Sequence, residues 1–261
     1  LSDTMSPGQI SNLGQSDAIA FRVRTEDAPP PAEARYWRGP VLWDTDGRTW
    51  SAGRPLAGPA PTVRAAGETV DYEITLEPHD RRWLFLLDAP VALPEGATLS
   101  AGLVARAARP VRERQRYRAR SAPAYALPEI DARSRRRALS LPGDAHPRAR
   151  ALAGRWQREG AQGRALVERA LAHFAAGDYV YTLRPPLLPG DPVDEFLFDA
   201  RRGFCEHYAA AFVVLMRAGG VPARVVTGYQ GGEINPVDGY LVVRQRDAHA
   251  WAEVWLEDAG W

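Results

Sequence analysis

The 261 residues include no lysine; all 33 basic residues are arginine. The chain therefore has no side-chain ammonium to offer as an acyl acceptor or Schiff-base nucleophile, and it cannot cross-link to itself through lysine. It has one cysteine, Cys205, which excludes an internal disulfide and a multi-cysteine zinc site. No apolar run is long enough to span a bilayer, and no segment has the layout of a signal peptide. With 33 basic and 32 acidic residues the net charge is +1. There is thus no general electrostatic case for nucleic-acid or membrane binding. What remains is ordinary for a globular chain: 45% hydrophobic and 25% charged. The length allows one or two domains. The sequence opens at Leu1 without Met and stops at Trp261 in mid-motif, so it reads as a piece of a longer protein.

The first half alternates with period two. Phe21 and Val23 face one way, Arg22 and Arg24 the other. Further strands are expected around 36–43, 70–76, 83–87 and 112–120, and Asp44 to Trp50 reads as a hairpin turn leading into another. Residues 1–120 thus suggest an antiparallel β sandwich or barrel. Nothing in them groups acids, bases or metal ligands. Trp37, Trp43 and Trp50 read as core packing rather than as a ligand platform. Residues 121–147 are rich in Pro, Ala and Arg and read as an interdomain linker. The basic run at 133–137 has no interleaved aromatics, which favours a solvated face over a nucleic-acid surface.

From Pro147 the period becomes helical. Two amphipathic helices are expected, the second ending at Gly177, then a short strand at 178–182 and a helical turn at 193–198. Arg202 to Gly220 follows. Tyr208, Phe212, Leu215 and Gly219 recur on one helical face; Ala209, Val213, Met216 and Gly220 recur on the next. A helix apolar on nearly all sides is buried, and Gly219-Gly220 before Pro222 stops it. Cys205 then stands in the first turn, where unpaired N–H groups and the helix dipole favour a thiolate. Set against this, a lone cysteine is more often a small buried hydrophobe. Two strands at 223–231 and 239–245 and a third at 249–256 complete an α+β region, residues 148–261. On the third strand His249, Trp251, Glu253 and Trp255 share a face. An imidazole there is able to pair with the thiol, but a satisfied core histidine fits the spacing equally well.

The motifs break that tie. Gly203-Phe204-Cys205-Glu206-His207-Tyr208-Ala209 resembles the nucleophile motif of the transglutaminase-like superfamily. Residues 221–229 resemble its following strand, and residues 247–255 its histidine motif, with His249 lying 44 residues after Cys205. Residues 4–8 and 36–44 resemble the N-terminal domain of a membrane-anchored bacterial branch, the TgpA type. The resemblance implies an α+β, two-domain chain: β-rich residues 1–120, a linker at 121–147 and a papain-like domain at 148–261, its nucleophile helix packed on an antiparallel sheet. It implies an enzyme without cofactor or metal. Cys205 would be the nucleophile and His249 its base and acid, acting on carboxamides through a thioester, with transfer to an amine or to water. The partner would be an amide-bearing protein or peptide, with the amine from another molecule. The setting would be the periplasm, on a parent anchored in the inner membrane of a bacterium. Tyr179 or Tyr181 would supply a second oxyanion donor, and Glu206 and Asp247 supporting contacts. In the family, an acidic residue shortly after a Gly-Trp pair orients the histidine; here that pair is Gly260-Trp261, so the residue is expected beyond Trp261. Three rivals remain: a catalytically weak or inactive peptide- or cell-wall-binding module, a cysteine peptidase, and a metal site built from His207, His249 and Glu253.

Overall fold

The computed structural model describes residues 1–54 and 60–261. Two antiparallel sheets form its frame. The larger has six strands in the order Pro90–Ala92 (β5), Gln115–Ser121 (β6), Val70–Leu76 (β3), Ile19–Thr25 (β1), Leu241–Arg244 (β11) and Glu233–Ile234 (β10). The smaller has four, in the order Ala248–Val254 (β12), Ala223–Gln230 (β9), Tyr36–Leu42 (β2) and Leu86–Leu87 (β4). Two further two-residue strands, Val180–Tyr181 (β7) and Arg202–Gly203 (β8), pair in parallel.

Each large sheet is therefore built from both halves of the chain. Val243 of β11 pairs with Phe21 of β1, and Tyr229 of β9 with Trp37 of β2. The expected separation of β-rich and α+β halves into independent sheets does not hold in space. Hydrophobic alternation tells a strand which face is buried but not which neighbour it takes. The sheets meet over an aromatic cluster. The Phe21 ring lies 5.5 Å from Trp37, 5.7 Å from Phe85 and 5.4 Å from Tyr229. Such pairs add about 0.5–1.5 kcal/mol each beyond area burial. Trp37, Trp43 and Trp50 are all buried, as core residues. The arginines of β6 lie outward against acids on β3, with Arg120 on Asp71 and Arg118 on Glu73.

The helices are Gln9–Leu13 (α1), Ala132–Arg137 (α2), Pro147–Arg158 (α3), Arg164–Ala176 (α4), Pro192–Glu195 (α5) and Cys205–Ala218 (α6). Helix α6 packs against β12, β9 and α3. Val213, Val214, Leu215 and Met216 are wholly buried there, which accounts for a helix apolar on nearly all sides. Its one buried cation, Arg217, donates to the carbonyls of Ala223, Ser140 and Trp43. Burial pushes that guanidinium down to about 9.

Ser140 lies in the segment read as a linker, and much of that segment is structured. It carries α2, buries Leu127 and Ala138, and anchors Arg137 on Asp44 through two bonds of 2.6 Å. Pro and Arg content signalled a linker, but these residues are held by carbonyls and a carboxylate that the sequence places far away.

Candidate active site

Helix α6 begins where a short strand ends. Tyr181 of β7 pairs with Gly203 of β8, two residues before Cys205. A side chain at Gly203 would put its Cβ 2.6 Å from Phe196 and 2.8 Å from His207, so glycine is needed for this approach. The register seats the Tyr181 ring against Phe204 at 5.1 Å and Tyr208 at 5.8 Å. Tyr181 thereby lines the same groove as Cys205. On the other side is β12, an edge strand of the smaller sheet. It brings His249 and Ala250 into the same groove. Sequence reasoning named Cys205, His249 and Tyr181, and these three line one groove.

The remaining candidates have other partners. The Tyr179 hydroxyl donates to the Leu197 carbonyl at 2.8 Å and lies 3.1 Å from His173 Nε2. Its proton is committed, so it has none for an oxyanion. Glu206 points away from the groove, as neighbours on a helix do. Its carboxylate accepts the N–H groups of Gly8 at 2.6 Å and Ile10 at 2.8 Å, at the start of α1. A residue beside Cys205 thus ties down the N-terminal Ser6-Pro7-Gly8 turn. No periodicity signals this contact, because its partners lie some two hundred positions away. His207 Nδ1 accepts the Phe204 N–H at 3.2 Å and closes the start of α6. Asp247 accepts the Arg244 N–H at 2.8 Å. Glu253 lies between Arg38 and Arg224, bonded to Arg224 Nε at 2.7 Å and to the Arg38 guanidinium. The metal arrangement of His207, His249 and Glu253 therefore fails, since two of its members are already occupied. Among the described residues no cluster of metal-ligating side chains forms.

The electrostatics differ from the helix-dipole argument. Burial pushes the Cys205 thiol up to about 12, and the Glu206 charge adds to this. The Ala250 N–H, the Tyr181 hydroxyl and the Glu206 N–H act the other way without reversing it. Burial alone pushes the His249 imidazole down to about 4; no neighbouring charge or hydrogen bond contributes. The resting pair is thus a neutral thiol and a neutral imidazole, where the sequence suggested a thiolate. Desolvation of the buried thiol outweighs a few first-turn N–H groups.

No described helix is long and apolar enough to cross a membrane. Residues 1–128 match the TgpA N-terminal domain family, and residues 151–261 match the transglutaminase-like superfamily. A protein-glutamine gamma-glutamyltransferase of Pseudomonas aeruginosa is 45% identical over the whole chain, which spans 39% of that protein's length. YebA of Bacillus subtilis is 41% identical over 75 residues, 27% of this chain and 10% of that protein. The crystal structure of the periplasmic domain of TgpA from P. aeruginosa superposes with a TM-score of 0.94 at 43% identity, covering all of this chain and 91% of the other. Its ethylmercury-bound form gives 0.96 at 44%, covering all of this chain and 94% of that one. With its Cys205 helix, its His249 strand and a fold shared end to end with that domain, the chain belongs to the transglutaminase-like superfamily, in its TgpA branch.

Proposed function

We propose that this chain carries out acyl transfer from glutamine carboxamides through a thioester on Cys205. The observation that carries this is one groove lined by Cys205 at the first turn of α6, by His249 on the edge strand β12 and by Tyr181. As Sγ attacks the carboxamide carbon, its proton passes to the neutral imidazole of His249. Charge develops on the amide oxygen, and the Tyr181 hydroxyl and the Cys205 N–H, free of any helical acceptor at this position, are placed to donate to it. The His249 imidazolium then protonates the departing nitrogen, ammonia leaves and the thioester forms. An amine or water attacks the thioester, giving its proton to His249, and Sγ leaves.

Within the described chain His249 gains no support from Asp247 or Glu253, both held elsewhere. The name of the P. aeruginosa relative supports glutamine as the acyl donor. The periplasmic origin of the matching structures supports the same setting here, on a parent anchored in the inner membrane. Any lysine acceptor lies outside this segment, because the segment has none.

Mass spectrometry after a rapid acid quench with a glutamine peptide tests this. An acyl adduct on the peptide containing Cys205, absent in Cys205→Ala, is expected. Ammonia release that survives Cys205→Ala would refute the thioester route.

A further inference from the structure

The groove beside Cys205 is open, about 420 Å³, and its walls are apolar. Helices α4 and α6 supply Leu171, Phe174, Tyr208 and Phe212 on one side; Trp251 of β12 stands on the other. In a chain that is 25% charged, no Asp, Glu or Arg lines it among the described residues. Leu171 is 56% exposed and Tyr181 55%, so nothing in the described chain covers these rims. Tyr208 and Phe212 are four residues apart and fall on one face of α6. From Cys205 to Phe212 the helix advances about 10 Å, a length that an extended peptide covers in about three residues.

Resting on the acyl-transfer reading above, we infer that the glutamine substrate carries a large apolar or aromatic residue two or three positions from the reactive glutamine, seated on Leu171, Phe174 and Phe212. A charged side chain there would lose its hydration and find no partner. An apolar one is withdrawn from water against three side chains that are otherwise partly exposed. The groove thus selects donors by apolar flanks and against charge of either sign.

The test uses the full-length parent and matched glutamine peptides with Phe, Ser or Glu at that flanking position. Ammonia release should rank Phe over Ser by about 10-fold or more in kcat/KM, with Glu lowest. Leu171→Arg alters an exposed side chain outside the catalytic pair, so the fold is retained. It should raise the Glu peptide and lower the Phe peptide, compressing their ratio by about 10-fold. Equal rates for the three peptides, or a ranking untouched by Leu171→Arg, would overturn the inference. Fluorescence anisotropy of the labelled peptides on Cys205→Ala protein reads the same ranking without chemistry. If no peptide is turned over but binding ranks Phe, Ser, Glu, the catalytic reading fails and the groove's preference stands. Equal binding of all three removes the preference whatever the turnover.

Discussion

Strand β12 carries His249 and Glu253 on one face, four residues apart, and the two ends have opposite chemistry. At Glu253 the carboxylate is saturated. Burial pushes its pKa up, but Arg38 and Arg224 outweigh this and hold it well below the usual range. Arg38 also binds Asp88 at 2.7 Å, and the Arg224 guanidinium lies between Trp43 at 4.9 Å and Trp261 at 3.8 Å. At His249 only desolvation acts. One end locks the two halves of the chain together; the other keeps an imidazole free to accept a proton. A strand can serve structure and chemistry at once because side chains four residues apart on it stand about 13 Å from each other.

The comparison breaks most sharply at His249. His249→Ala should lower ammonia release about 10²- to 10⁴-fold, the range for losing a general base, while urea unfolding shifts little. A variant equally slow and equally destabilised would mean that the histidine is structural. Glu253→Ala should do the reverse, costing about 3–5 kcal/mol in urea unfolding because two guanidinium groups are left buried without their shared anion. Unchanged stability would show that the network is solvated. Between the two tyrosines, Tyr181→Phe should lower kcat about 100-fold with KM little changed, as for loss of an oxyanion donor. Tyr179→Phe should leave kcat alone and cost about 1 kcal/mol of stability. If the two variants trade these effects, the oxyanion assignment is wrong.

The smallest effect is a pH slope. His249 and His207 are both pushed down by burial to about 4. The unfolded chain therefore binds protons first as the pH falls below about 6.5. Their neutral, buried forms favour folding above that value, and this contribution is lost as the pH falls through about 4. His249→Phe should flatten part of the slope between those limits, and a slope identical to the wild type would place the imidazole in solvent. Glu253, with its depressed pKa, acts in the same direction at lower pH: its contribution is present above the unfolded carboxylate range and lost on further acidification.

Much of the site was legible in the residues. The helix from Cys205 to Ala218, its stop at Gly219-Gly220, and the alternation that makes 248–254 a strand are local patterns, and the structure follows them. The pairing of the two halves was not legible, because a strand's alternation is the same whichever neighbour it finds. The fates of Glu206 and Glu253 were equally hidden: one binds the turn at Gly8, the other two arginines on neighbouring strands.

By itself, then, the sequence determined what is local or compositional. It set which residues form the buried helix, where a thiol and an imidazole fall on their elements, and that no lysine is present. Only the tertiary structure decided the desolvation of Cys205 and His249, which of Tyr179 and Tyr181 lines the groove, and the sharing of both sheets between the two halves. Each of these depends on desolvation and on contacts between residues far apart in the chain. Propensity and periodicity reach only a few residues along it.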